Sequence, residues 1–197
     1  KTAINGRELF KLENTAGAVP ICISNIGTGA ANAGIGNMTN VNGTLHFTAT
    51  QNLPNLGDRI WKVNAFRTEV DQTGGAMTFA NNLKAMGSTL FFTQSPQVGP
   101  RTLNKLGLAN PIKTFATVAG QADPIPQELT VIGSRLFFTA ADGAISRRVW
   151  VTNAAATSVS QVSSRNASEL TNFNGRLVFT DYFGNIAGQK AIFRVNT

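Results

Sequence analysis

Apolar residues along this chain come in short alternating runs broken by Gly, Asn and Ser, and no segment repeats at helical spacing. Four runs share one form. Leu45-His46-Phe47-Thr48 follows Asn42-Gly43-Thr44, and Leu90-Phe91-Phe92-Thr93 follows Gly87-Ser88-Thr89. Leu136-Phe137-Phe138-Thr139 follows Gly133-Ser134-Arg135, and Leu177-Val178-Phe179-Thr180 follows Asn174-Gly175-Arg176. Alternation over this length predicts a β-strand, with the Leu and the second Phe on one face. Asn-Gly or Gly-Ser before it predicts a tight hairpin, because the turn needs residues that tolerate positive φ. A first strand therefore leads into each turn, as in Leu129–Ile132 and Leu170–Phe173, and Leu83–Met86 aligns with them.

The marker glycines Gly43, Gly87, Gly133 and Gly175 are spaced by 44, 46 and 42 residues. A third strand recurs at Glu8–Lys11, Arg59–Lys62, Thr102–Lys105, Arg148–Val151 and Ala191–Arg194. A weaker fourth strand is predicted at Ala18–Ile23, Ile112–Val118 and Ser158–Val162. A unit of about 44 residues with three or four antiparallel strands is the size of a propeller blade. The expected fold is all-β: a β-propeller of about four to five blades, whole or part of a larger propeller. It is read as a single repeat domain over 1–197, with approximate units 1–36 (partial), 37–81, 82–126, 127–168 and 169–197 (partial). Five third strands accompany four hairpins, so one third strand is expected to be unmatched. On this reading Ala18–Ile23 completes the sheet begun at Leu170, and Gly6–Lys11 is left to cover an edge or pair with another copy.

Around these strands the chain resembles the bacterial repeat family named for Glu-Leu-Trp-x-x-Asp-Gly-Thr. The matching stretches are Gly6-Arg7-Glu8-Leu9-Phe10-Lys11, Asn42-Gly43-Thr44-Leu45-His46-Phe47-Thr48-Ala49 and Ser134-Arg135-Leu136-Phe137-Phe138-Thr139-Ala140. The Asp-Gly-Thr half has diverged, with Glu13, Asn64, Asn153 and Asn196 at the Asp position. The resemblance implies a propeller in an exported bacterial protein, with no reaction and no defined ligand.

Composition adds an extracellular character. Charged residues are 14% of the chain, below the ~25% of an average globular protein. The net charge of +7 comes from scarce acids, and the basic residues are scattered apart from Arg147-Arg148. That argues against nucleic acid, whose binders concentrate charge on one element. No apolar run approaches the ~18 residues of a membrane-spanning helix. A lone Cys22 and a lone His46 exclude an intramolecular disulfide, a thiolate zinc cluster and a histidine-rich metal site built by one chain. The loop around Asp142-Gly143 holds too few acids for a calcium site. The Gly-rich run from Gly27 to Gly36 lacks the Lys-Ser/Thr ending of a phosphate loop.

These features point to a non-catalytic extracellular or cell-surface scaffold, with no enzyme activity and no cofactor. Its expected partners are a protein or further copies of itself, as a homo-oligomer or filament. Leu9, Phe10, Ile192 and Phe193 on the terminal strands are the assembly candidates. The alternative is a lectin-like propeller that binds a cell-surface glycan. For it, Tyr182 and Phe183 in a post-hairpin loop and the recurring Trp61 and Trp150 are the aromatic candidates for stacking on sugar rings.

Overall fold

A computed structural model describes residues 7–27, 32–50, 57–66, 68–73, 79–96, 99–115, 125–143, 146–182 and 190–195. Gly6, Phe183, residues 116–118 of the fourth strand at Ile112–Val118, and residues 28–31 of the Gly-rich run lie outside them. The described chain is all-β, in five small sheets. It divides into two compact units, Lys1–Leu83 and Lys84–Thr197.

The first unit opens with β1 (Phe10–Lys11) paired to β2 (Ile21–Cys22). A meander follows, of β3 (Gly36–Val41), β4 (Thr44–Thr50), β5 (Asp58–Val63) and β6 (Val70–Thr73), each antiparallel to the next. The division between the units falls inside β7 (Ala80–Met86). β7 heads a sheet completed by β8 (Thr89–Gln94), β9 (Arg101–Lys105) and β10 (Lys113–Phe115). The next meander is β11 (Gln127–Ile132), β12 (Arg135–Ala140), β13 (Arg148–Asn153) and β14 (Val159–Ser163). The last sheet has three strands, β15 (Ala167–Phe173), β16 (Arg176–Tyr182) and β17 (Lys190–Arg194).

The hairpin glycines act as the sequence suggests. Asn42 and Gly43 both have positive φ (47° and 83°), the backbone of a type I′ turn, and Val41 pairs directly with Thr44 across it. The strand at Ala18–Ile23, expected to complete the sheet of Leu170, instead pairs with β1, Phe10 opposite Cys22. Antiparallel pairing needs only a short connection between strands adjacent in sequence, and the chain from Leu12 to Pro20 supplies it. The sequence reading also passed over β6, whose Val70-Asp71-Gln72-Thr73 is too polar to stand out as a strand.

Packing follows the strand alternation. In β4, β12 and β16 the Leu and the Phe two residues on face the preceding sheet. Leu136 and Phe138 share a core with Met86, Phe91, Leu103 and Phe115. The first Phe faces the following sheet, and Phe137 shares a core with Leu170, Leu177 and Phe179. In the first unit, Leu9 and Ile23 pack on Phe47, Ala49, Trp61 and Val63. Every residue from Leu90 to Thr93 in β8 and from Leu136 to Thr139 in β12 is buried. Leu90, Leu136 and Leu177 are buried as the repeat predicts. Leu45 is not: it is half-buried at the rim of its core, where the sheet before it has two strands among the described residues.

Gly57 enters β5 at φ +60°, and a Cβ there would stand inside the Phe79 ring. Gly57→Ala is expected to destabilise the fold by at least ~1–2 kcal/mol from the left-handed backbone alone. Denaturant unfolding of the variant against the wild-type chain measures it.

Candidate functional site

The repeat is interrupted at the first and last described sheets, where apolar residues stand exposed. At the β1–β2 sheet the hub is Glu8, a buried carboxylate. Ser24 donates its hydroxyl to Glu8 Oε2 at 2.5 Å, and the Ile26 and Gly27 N–H groups donate to Oε2 and Oε1 at 3.2 and 2.9 Å. Ser24 Oγ in turn accepts the Leu9 N–H at 2.7 Å. Together these bonds tie the segment after β2 back onto the start of β1. Among the described residues β1 pairs with β2 alone. Along its other side runs a groove of about 490 Å³, lined by Leu9, Phe10 and Leu12 and by Asn40, Leu45 and Val63. Of the two assembly candidates here, Leu9 points into the core and Phe10 is 56% exposed.

The last sheet shows the complementary interruption. Ile192 pairs with Thr180, so it occupies the position of Val149, which pairs with Thr139. Val149 is fully buried under the next sheet, whereas Ile192 is 78% exposed. Phe173 corresponds to the half-buried Ile132 and is likewise exposed. Phe193 faces inward, stacked on Phe179 at 5.8 Å with the Arg165 guanidinium 4.0 Å above its ring.

The tryptophans are packing residues. Trp61 is buried, and its indole N–H donates to the Ala49 carbonyl. Trp150 is half-buried, donates to the Ala140 carbonyl at 3.1 Å and meets Phe115 edge-on. The Tyr182 backbone ends β16, opposite Lys190.

The lone titratable groups do not converge. Among the described residues there is no cluster of His, Cys, Asp and Glu able to hold a metal. Asp142 pairs with Lys113, Asp181 with Arg165, and the half-buried Cys22 thiol contacts the Ser24 carbonyl at 3.1 Å. His46 is buried, and that burial pushes its pKa below 6.5; a bond to the Thr44 carbonyl works the other way and Lys62 adds to the lowering. The folded pKa lies under the unfolded one, so this contribution to stability is full above ~6.5 and is lost as pH falls through the folded value. Unfolding curves at several pH values should show a smaller acid-side loss for His46→Gln than for the wild-type chain.

A polar relay that the sequence did not disclose runs along the first strands. Asn37, Asn82, Glu128 and Glu169 occupy one repeat position, and all have positive φ, from 49° to 59°. The register shifts next to Asn37, Glu128 and Glu169, where a β-bulge interrupts the ladder. In three of the four Leu-x-Phe-Thr strands the closing Thr holds the bulge side chain: Thr48 to Asn37, Thr139 to Glu128 and Thr180 to Glu169. The remaining oxygen reaches the following first strand. Asn37 Oδ1 accepts the Asn82 N–H at 3.2 Å, and Glu128 Oε1 accepts the Glu169 N–H at 2.7 Å. Two residues on, Thr39 and Thr130 hydroxyls donate to the Leu83 and Leu170 carbonyls, both at 3.1 Å. In the second unit Asn172 Nδ2 donates back to the Val131 carbonyl at 3.2 Å.

No protein-family model matches the chain, and no curated protein matches it.

Proposed function

We propose that this chain is a non-catalytic extracellular scaffold of propeller blades that works by associating through the exposed apolar residues of its first and last sheets. The observation that carries this reading is the contrast between Val149, fully buried, and Ile192, 78% exposed, at one repeat position. Positions that the repeat buries in its interior stand open at Phe10 and Leu12 in the first sheet and at Phe173 and Ile192 in the last. Apolar positions of this kind on adjoining strands mark an interaction surface more often than an accident of composition. The propeller itself is inferred from three- and four-stranded meanders recurring every 42 to 46 residues, together with the likeness to exported bacterial repeats noted above.

A lectin role draws less support, since Trp61 and Trp150 spend their indole N–H groups on backbone carbonyls. The test pairs sedimentation with a turnover screen. The full chain is expected to associate as its concentration rises, and Phe173→Asp with Ile192→Asp to abolish this while leaving the circular dichroism unchanged. Hydrolysis or group transfer that a single substitution removes would defeat the reading, as would a chain that binds neither itself nor another macromolecule.

A further inference from the structure

We infer that the groove beside β1 binds a hairpin of a partner protein, whose Leu-x-Phe-Thr strand joins β1 edge to edge. This rests on the scaffold reading above and gives its first sheet a type of partner.

In the repeat, β1 is a third strand. Glu13 stands at the position of Asn153, which sets Phe10 at Trp150 and Leu12 at Thr152. In the meander of β11 to β14 the third strand has the fourth on one edge and the second on the other. β1 has its fourth strand, β2. Along its other edge runs the groove of about 490 Å³, within the ~300–1,000 Å³ of ordinary ligand clefts. The groove therefore lies where β12 stands beside β13. A hairpin seated there leaves β1 in place, with Leu9 still packed on Phe47 and Trp61.

The backbone of β1 is turned to bond in that direction. The Leu9 carbonyl accepts the Ile23 N–H at 2.9 Å, on the β2 side. Successive residues of a strand turn their N–H and C=O to opposite edges, so those of Phe10 point to the groove. Other repeats show the bonds a strand makes here. The Leu106 N–H donates to the Leu90 carbonyl at 2.9 Å, and the Val195 N–H to the Leu177 carbonyl at 3.1 Å. Leu12 holds the position of Leu106 and Val195, so its N–H would meet the carbonyl of an incoming Leu. Phe10 would pair with the incoming Phe, as Phe193 pairs with Phe179.

Side chains complete the match. The residue x of the incoming strand would face β3 and β4. At the equivalent place Phe137 packs with Leu170, Leu177 and Phe179. Their counterparts are Met38, which is 61% exposed, the half-buried Leu45 and the buried Phe47. The incoming Phe would lie beside the exposed Phe10, a cross-strand aromatic pair like Phe138 and Trp150. Asn40 also lines the groove, and among the described residues it bonds only through Oδ1, to the Gly43 N–H. Its counterpart Asn172 donates Nδ2 to the Val131 carbonyl on the first strand of a hairpin. A hairpin thus uses groups that a single strand would leave idle.

The strand comes from another polypeptide. β4, β8, β12 and β16 are each paired on both edges within their own sheets, so none of them is spare. Strand addition takes affinity from main-chain bonds and specificity from pockets for alternate side chains. Here the selected residues are x, against Met38 and Leu45, and the Phe beside Phe10.

The experiment uses the full chain, and the probe is a synthetic peptide of its residues 127–141, the β11–β12 hairpin. Anisotropy of the labelled peptide should saturate at one peptide per chain. Phe137→Asp in the peptide should weaken binding by about tenfold or more, since it sets a charge against Met38 and Leu45. Met38→Asp in the chain should do the same with unchanged circular dichroism, because Met38 is exposed. Amide exchange at Phe10 and Leu12 should slow by about tenfold or more in the complex. The inference is overturned if the peptide does not bind, if either Asp variant binds like its parent, or if exchange at both amides is unchanged. Self-association that Ile192→Asp abolishes, in a chain that takes no peptide, would reject the groove and keep the scaffold reading. Turnover by a chain that still binds the peptide would do the reverse.

Discussion

Replacing Phe138 by Ala should destabilise the second unit by ~3–5 kcal/mol, close to the whole stability of a modest domain. Phe138 is fully buried at the centre of β12, between Leu129, Leu136 and Ala140 on its own sheet and Phe91, Leu103 and Phe115 opposite. Its ring meets Phe115 edge-on at 6.0 Å, and Phe115 meets Trp150 in the same manner at 6.3 Å. Truncation removes the ring, leaves a cavity that two packed sheets cannot close, and deprives Phe115 of one aromatic neighbour. Lys113, whose Nζ lies 5.0 Å from the Trp150 ring, caps this cluster and limits how far the rings can shift. Leu136→Ala should cost ~2–5 kcal/mol for the same reason, and Leu45→Ala clearly less, because Leu45 sits half-buried at a rim. Urea unfolding of the three variants orders them; an order with Leu45 first would contradict the packing described.

The contrast between Leu136 and Leu45 marks what the sequence could and could not disclose. Strand identity was legible because alternation is local: each strand that pairs in the meanders, apart from β6, was marked by its apolar residues or its hairpin glycine. Which face each residue takes was legible too, since Leu136 and Phe138 do face one sheet and Phe137 the other. What neighbours a strand is a tertiary fact. Nothing around Leu45 says that it will stand at the rim of its core, and nothing around Ile192 says that its side chain will be exposed.

The relay escaped notice for a different reason. Its Thr members were visible as the fourth letter of Leu-x-Phe-Thr, but their partners change type from Asn37 and Asn82 to Glu128 and Glu169. Their distance to the marker glycine also changes, because some turns read Asn-Gly and others Gly-Ser. Aligning the turns by pairing, Val41 with Thr44 and Ile132 with Arg135, brings the bulge residues into one column. Of the residues picked for assembly, Phe10 and Ile192 do point outward, while Leu9 and Phe193 serve their own cores. Alternation alone makes that split, since adjacent residues of a strand face opposite ways.

Glu8→Ala should release the β1–β2 sheet from the first unit. All the groups around the Glu8 carboxylate are donors: the Ser24 hydroxyl and the N–H groups of Ile26 and Gly27. An alanine leaves them buried without an acceptor, at a cost of ~1–3 kcal/mol for each group left unsatisfied. Glu8→Gln should cost less, because its carbonyl oxygen still serves one backbone N–H while its amide faces the Ser24 oxygen. The β1–β2 pairing is only two residues long, so little besides this hub and the Leu9–Ile23 contact with Phe47 and Trp61 holds the sheet in place. The loss should therefore appear as local opening more than as global unfolding. Amide exchange at Ile23, Ile26 and Gly27 is expected to accelerate by about a hundredfold in Glu8→Ala, with exchange in β12 unchanged. Unaltered protection at those amides would show that apolar packing alone fixes the sheet and that the carboxylate is incidental to it.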